Sequence, residues 1–323
     1  MAPYPNGINI LLGTSAFGPA SNSVAMFNTP KQVQEVLNIF GNRGYTGLDT
    51  TRGYPGGSEA LLGEVDASKT FVIDTKVVSF APKTHTKEKI EKSIKDSLEA
   101  LKVKKVNTMY LHSPDQATPF KETLEAINAA YQAEIFVQWG VSNFSAIEVE
   151  QIIKICDDNG WVKPKLYQGQ YNAAARRIES ELLPLLRKHG MSFIAWSPAA
   201  GGFFAQEYDP SSVGSHFDVK TATGVAFTKI YQKPELLEAQ KRSRELSKEM
   251  GQNGHLIALR RTAHHSKLLA EEGDGLVVGF SSTRQLKDNL HAIEVGPLSE
   301  VVVDAIEDCW EHSKEAAPSY YID

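Results

Sequence analysis

Four side chains that follow short apolar runs could between them deliver a proton to a substrate: Asp49, Tyr54, Lys76 and His112. A lysine buried in a pocket needs a carboxylate to stay charged, and Asp49 closes a neighbouring apolar run. A lysine ammonium near a phenol favours the phenolate and lowers the tyrosine pKa from about 10 towards neutrality. A phenol tuned in this way can protonate a carbonyl oxygen as negative charge develops there. His112 can orient that carbonyl or help pass the proton. Taken singly, each residue has a plainer reading. Lys76 can be a solvated strand end, Asp49 a cap or turn residue, His112 a hydrogen-bonded structural histidine and Tyr54 loop packing. The same pattern recurs, however, at seven strand ends: Asp49, Lys76, His112, Ser142-Asn143, Gln168 with Gln170, Trp196-Ser197 and Ser281-Ser282.

The elements that must position these groups alternate strictly. Eight strand-like runs are INILLG, YTGLDT, FVIDTKV, VNTMYLHS, IFVQWGVSN, KLYQGQYN, SFIAWSP and GLVVGFSS. Helix-like segments lie between them, including TKEKIEKSIKDSLEALK, SAIEVEQIIKICDDNG and a long stretch from Pro234 to His265. Thr29-Pro30, Ser58-Glu59, Thr86 and Ser145 read as helix starts, and Gly44, Gly160 and Gly190 as helix ends. Strict alternation implies parallel strands with crossover helices. Eight units point to an α/β fold, a closed (β/α)8 TIM barrel over residues 1–323 as one domain. The alternative is an open doubly wound sheet, but the turn after the first strand, LLGTSAFGPAS, lacks its usual G-x-G-x-x-G. A loop insertion from Ala200 to Lys233 and an extra C-terminal helix in LSEVVVDAIEDCWEHSKE fall outside the eight units. In such a barrel the active site lies at the C-terminal ends of the strands, where the polar residues cluster.

Of the 323 residues, 41% are hydrophobic and 23% charged, and the net charge is −5. There is no basic excess to neutralise phosphates, which argues against nucleic acid as a partner. No window approaches the roughly 18 apolar residues of a membrane span. The start, MAPYPNGINILLG, has no Lys or Arg before its apolar run, so a signal peptide is not expected. Cys156 and Cys309 are far apart and read as reduced thiols of a cytoplasmic protein. No G-x-S-x-G elbow suggests acyl transfer. HEXXH and CxxC spacings are absent, and the adjacent His264 and His265 would diverge by about 100° on a helix, so no metal site is expected.

Asp49, Tyr54, Lys76 and His112 resemble the tetrad of the aldo-keto reductases. LDTTRGYPGGSEALLG is similar to that family's Asp-Tyr segment, MYLHSPD to its histidine segment, and WGVSNFS to the Ser-Asn segment that holds the nicotinamide carboxamide. YQGQYNAAARRIESELLPLLRKHGMSFIAWSPAAGGFF is most similar to the subgroup of aflatoxin-aldehyde and succinic-semialdehyde reductases, and DGLVVGFSSTRQLKDNL to the segment gripping the adenosine end. The resemblance spans roughly residues 8 to 297. It implies NADPH/NADP+ bound across the barrel mouth and hydride transfer to an aldehyde or ketone. Tyr54 would be the proton donor, Lys76 and Asp49 would tune it, and His112 would orient the small-molecule carbonyl substrate. Ser142, Asn143 and Gln168 would hold the carboxamide, with Trp196 stacked on the ring and Ser197 beside it. Gly279, Ser281, Gln285, Asp288 and Asn289 would meet the adenosine end, and Lys229 and Arg284 the 2′-phosphate. Phe17, Arg52 and Phe203 are expected near the substrate, and the Pro-Gly-Gly turn would swing Tyr54 over the mouth. Dimers are common in the subgroup, so a homodimer is a further expectation. Two departures from it are Arg261, in place of a tryptophan, and the missing Gly-Lys run before the fifth strand. Two other functions remain open on the residues: a cofactor-binding regulatory subunit with vestigial activity, and a metal-dependent barrel hydrolase using Asp49 and His112.

Overall fold

The computed structural model describes residues 7–22, 25–53, 57–205 and 217–322. Eight parallel strands close into one barrel: β1 (Asn9–Gly13), β2 (Gly47–Asp49), β3 (Val72–Lys76), β4 (Val106–Leu111), β5 (Phe136–Ser142), β6 (Leu166–Gln170), β7 (Ser192–Trp196) and β8 (Gly275–Val278). β8 returns to β1 through the register Asn9↔Gly275 to Leu12↔Val278, which leaves no free sheet edge. The helices α1 (Pro30–Gly41), α2 (Ser58–Glu64), α3 (Lys87–Leu101), α4 (Phe120–Gln132), α5 (Ala146–Asn159) and α6 (Leu182–Lys188) follow β1 to β6 in turn. After β7 come α7 (Ala222–Tyr231), α8 (Pro234–Glu249) and α9 (Gly254–His264), and after β8 come α10 (Thr283–Val295) and α11 (Glu300–Ser313).

Each strand sorts its side chains by alternation. On β4, Met109 joins the layer between barrel and helices, whereas Tyr110 enters the barrel with Leu11, Leu166, Ile194 and Val277. Gly140 makes room for that ring: a Cβ there would lie 2.8 Å from Tyr110 Cδ1 and 2.6 Å from the Leu166 carbonyl. The helices begin where local chemistry dictates. Thr29 and Ser145 form full capping boxes with Gln32 and Glu148. Gly160, with φ 65°, ends α5 in the left-handed conformation.

Some starts and stops differ from expectation. Ser58 does not cap α2. Gly57 stands at the cap, and the Ser58 hydroxyl instead pairs with Thr50 Oγ1 at 2.7 Å, tying the helix start to the end of β2. Thr86 caps α3 by position without a side-chain bond. Asn42 rather than Gly44 closes α1. The stretch from Pro234 to His265 is two helices, because Gly251 adopts φ 61° and Asn253 then caps α9 through His255 N.

The insertion after β7 carries a second apolar cluster. Phe203 stacks on Tyr231 with centroids 4.8 Å apart, and Phe217 meets the same ring at 5.9 Å. Tyr231 OH accepts from Gln170 Nε2 at 2.9 Å and Asn172 Nδ2 at 3.2 Å, which anchors α7 to the end of β6. Arg261 is almost fully buried and links α9 to Glu307 of α11 at 3.2 Å, so the C-terminal helix is fastened by charge as well as by Val302 and Ile306.

The packing of α2 bears directly on the mouth, because α2 ends the loop that follows β2. Gly63 lies so close to α3 that a Cβ would fall 2.1 Å from the Ala100 carbonyl oxygen. Backbone cannot yield there as a side chain would. Gly63→Ala is expected to destabilise the fold by roughly 2–3 kcal/mol. Thermal unfolding followed by circular dichroism checks this, and an unchanged midpoint would show that α2 and α3 can separate freely.

Candidate active site

The C-terminal ends of β2, β3 and β4 bring three of the four chemically promising residues together. Lys76 Nζ donates to both Asp49 oxygens, at 2.7 and 2.8 Å, and to the Thr50 carbonyl at 2.9 Å. Both partners are almost completely buried, with side chains 1% and 3% exposed. A buried pair persists only with close geometry and further hydrogen bonds, and here all three ammonium donors are used. Asp49 Oδ1 also accepts from Gln168 Nε2 at 2.7 Å.

His112 follows β4. Its Nδ1 lies 3.3 Å from Thr51 Oγ1, and its ring meets Phe80 edge to face at 4.7 Å. Burial, and after it the Lys76 charge, hold the imidazole well below its ordinary range. The ring is therefore neutral near pH 7 and suited to orienting a carbonyl through a hydrogen bond. Its backbone carbonyl accepts from Asn143 Nδ2 at 2.9 Å, which in turn sits 3.0 Å from Ser142 Oγ.

Tyr54 lies outside the described residues, as do Pro55 and Gly56. The chain on either side is well fixed. Arg52 N and Thr51 Oγ1 both donate to the Lys76 carbonyl, at 3.1 and 3.2 Å, and Gly53 N donates to Thr51 Oγ1 at 3.0 Å. A Cβ on Gly53 would be 3.8 Å from His112 Nδ1. The residue before Tyr54 thus lies against the histidine and above the lysine.

The other expected residues are placed as follows. Ser142, Asn143 and Gln168 are buried at the ends of β5 and β6, and Trp196 is half-buried at the end of β7. Ser197 has φ 54°, and its hydroxyl is buried with no hydrogen-bond partner among the described residues. Beyond β8, Gly279 is exposed, and a Cβ there would meet nothing within 4 Å. Its carbonyl accepts from Asn289 Nδ2 at 3.0 Å. Ser281 N and Oγ donate to Gln285 Oε1 at 2.7 and 2.9 Å at the start of α10. Asp288 is exposed and pairs loosely with Arg284 at 3.7 Å; Lys229 is exposed on α7. His255 extends this group, with Nε2 3.0 Å from Asn289 Oδ1.

The three residues expected near the substrate have these surroundings. Phe17 is fully buried and packs edge to face on Phe27 and Phe280. Phe203 is 2% exposed within the insertion's own core. Neither ring offers surface to the mouth. Arg52 Nη1 pairs at 3.0 Å with Glu59, which is fully buried and also accepts from Thr75 Oγ1 at 2.6 Å. Arg52 is thus the counter-charge of a buried acid rather than a bare charge in a loop. An exposed aromatic beside His112 is Phe80, 58% exposed, with φ 68°. A bulky residue in that region is an outlier, and such strain concentrates at functional sites. Nothing in the local sequence separates Phe80 from the packing aromatics.

A family model described as the aldo/keto reductase family matches residues 9–311. The chain belongs to this family. It is an oxidoreductase on a (β/α)8 barrel, and members of the family use a nicotinamide nucleotide. An aldo-keto reductase of Pseudocercospora fijiensis is 38% identical over 88% of this chain and 100% of its own length. Oxidoreductase sirO of Leptosphaeria maculans is 37% identical over 98% of each chain. Aflatoxin B1 aldehyde reductase member 2 of Mus musculus is 36% identical over 88% of this chain and 82% of its own. The reductase's described residues contain no group of three or more His, Cys, Asp or Glu that could hold a metal, and no helix long and apolar enough to cross a membrane. The unpartnered Ser197 hydroxyl and the open space at Gly279 suit a ligand laid from the mouth towards α10.

The loop that carries Phe80 depends on His85. His85 Nε2 lies 2.7 Å from Ser79 Oγ, and burial pushes the ring down to about 4 against the pull of Asp115. Its folded pKa lies below the unfolded value of 6.5, so its contribution is fully present above 6.5 and lost as pH falls through about 4. Across that window the loss is about 3 kcal/mol at most. His85→Gln is expected to flatten the acid limb of stability, as read by denaturant unfolding at stepped pH. A limb as steep as in the unchanged protein would place the acid sensitivity elsewhere.

Proposed function

We propose that the reductase transfers hydride from NADPH to an aldehyde or ketone, with Tyr54 donating the proton to the carbonyl oxygen. The observation that carries this reading is the buried Lys76–Asp49 pair directly beneath the fixed segment Thr51–Gly53. Within that pair the Lys76 ammonium brings a positive charge, partly offset by Asp49, close to the segment that leads into Tyr54. Its field favours a proton leaving the donor as charge develops on the substrate oxygen. Neutral His112 holds the carbonyl oxygen near that donor and does not itself need to lose a proton.

The nucleotide supplies the hydride when bound. Ser142 and Asn143 would meet its carboxamide. Gln168 shares that role through its carbonyl oxygen, since its Nε2 is committed to Asp49. Trp196 offers a ring face and Ser197 an unused hydroxyl. Ser281, Gln285 and Asn289, with the open backbone at Gly279, form the adenosine end. Arg284, 92% exposed in the first turn of α10, and Lys229 are the cations offered to a 2′-phosphate, which favours NADPH over NADH. The substrate would be an apolar or aromatic carbonyl compound resting on Phe80. The names of the relatives, an aflatoxin aldehyde reductase among them, agree with a role in detoxification or secondary metabolism.

Tyr54→Phe is expected to remove turnover of 4-nitrobenzaldehyde while NADPH still binds, measured by nucleotide consumption and by quenching of protein fluorescence. Wild-type turnover in the variant would overturn the donor assignment. Phe80→Ala is expected to raise KM for the aromatic aldehyde roughly tenfold, the loss of about 1.4 kcal/mol of contact, with kcat little changed. An unchanged KM in steady-state kinetics would remove Phe80 from the substrate site.

A further inference from the structure

Among the described residues, the inward faces of the strands carry two acids, Asp49 and Asp74, and one lysine, Lys76. Asp74 stands two residues before Lys76 on β3, so both side chains enter the barrel from the same face of the strand. Its Cα partners are Asp49 on β2 and Thr108 on β4. The side chain is buried, and Asp74 Oδ1 accepts from Asn107 Nδ2 at 2.7 Å. Above Thr108 on the same face of β4 is Tyr110, with Lys76 Nζ 5.8 Å from its ring centre. The Tyr110 hydroxyl is buried with no partner among the described residues. Burial holds that phenol well above its ordinary range, with the charges of Asp74 and Asp49 adding to the shift, so it stays neutral.

Few other charges face this group. β2 contributes Asp49, β3 Lys76, and the end of β4 the neutral His112. The inward faces of β1 and β5 to β8 carry amides, hydroxyls, glycines and apolar side chains, and no charge. Lys76 has already committed all three N–H donors to Asp49 and Thr50. It therefore acts on the mouth through its field, and that field is the sum over the cluster. With Asp74 ionised, one cation faces two anions. With Asp74 protonated, the cluster is neutral.

We propose that Asp74 is a positioning residue for the reduction: its carboxyl sets the net charge of the Asp49–Lys76 cluster, and through it the proton affinity of the donor at the mouth. This rests on the reading of Tyr54 as that donor. An ionised Asp74 offsets the pull of Lys76 and keeps the phenol protonated to higher pH, which suits a group that must give up a proton in each reduction. Burial, reinforced by the Asp49 charge and opposed by the Asn107 and Thr108 hydrogen bonds and the Lys76 charge, pushes the Asp74 carboxyl up to about 6, so the change of state falls within a working pH range.

The test compares pH profiles of kcat for the wild type, Asp74→Asn and Asp74→Glu from about pH 5 to about 9.5. The wild type is expected to show a break near 6 and a basic limb from the phenol. Asp74→Asn is expected to lose the break and to move its basic limb down by roughly half a unit or more. Asp74→Glu is expected to keep a break. A uniform fall in kcat at every pH, or two unmoved limbs, would overturn the proposal, because a purely structural role moves neither limb. A second readout needs no turnover: unfolding free energies against pH for the wild type, Asp74→Asn, Lys76→Met and the double variant. A raised folded pKa gives stability that is present at low pH and lost as pH rises through about 6. Asp74→Asn should therefore gain on the wild type above 6 and match it near 4. That crossover should move to higher pH in the Lys76→Met background. If the cycle shows no coupling, the proposal fails whatever the kinetics. If coupling is present but no carbonyl compound consumes NADPH, the reductase reading falls and the control of the cluster's charge by Asp74 stands.

Discussion

The site depends on one buried ion pair. An ammonium and a carboxylate taken out of water cost several kcal/mol each unless they satisfy one another and their remaining hydrogen-bonding groups. Lys76 and Asp49 meet that condition with all three ammonium donors used and Gln168 completing the acid. Much of the surrounding architecture follows from this. β2 is three residues long and ends on Asp49, which lies in register with Asp74 of β3. The next residues, Thr51 and Arg52, fold back onto the Lys76 carbonyl.

The same constraint explains a second buried acid nearby. Glu59 begins α2 with its carboxylate facing inward, where Thr75 and Arg52 satisfy it. Arg52 cannot leave without stranding Glu59. Both ends of the segment containing Tyr54 are therefore clamped: by Arg52 and Thr51 before it, and by Glu59 and the Ser58–Thr50 contact after it. The described residues Thr51–Gly53 and Ser58–Glu59 are thus each held by hydrogen bonds at the ends of β2 and β3.

The wider mouth is built differently on its two sides. Around β3 and β4 it is shaped by the strained Phe80, held over His112 by a loop that Ser79, His85 and Asp115 anchor. Around β6 and β7 it is shaped by the insertion, whose aromatic cluster is tied down through Tyr231. One side presents an aromatic to the solvent, and the other spends its aromatics on its own stability.

The barrel was legible in the sequence because parallel strands buried on both faces read as short apolar runs, and the crossover helices as amphipathic ones. The order of the elements then leaves few ways to connect them. Asp49, Lys76, His112, Ser142, Asn143 and Gln168 were legible because a functional group ending an apolar run is visible in one dimension. What lay beyond the sequence are the contacts between residues far apart in it. Phe17, Phe203 and Phe80 are all loop aromatics by composition, and only packing separates two core rings from the exposed one. Arg52 is a charge in a loop until Glu59 turns inward. Asp74 is a strand residue like its neighbours until the barrel closes and sets it opposite Asp49, the partner of Lys76. Sequence by itself determined which chemical groups are present and the strand ends that carry them, because periodicity fixes element type and order. The tertiary structure alone decided which groups are buried, paired or exposed, because burial and charge depend on the surroundings that closure of the barrel brings together.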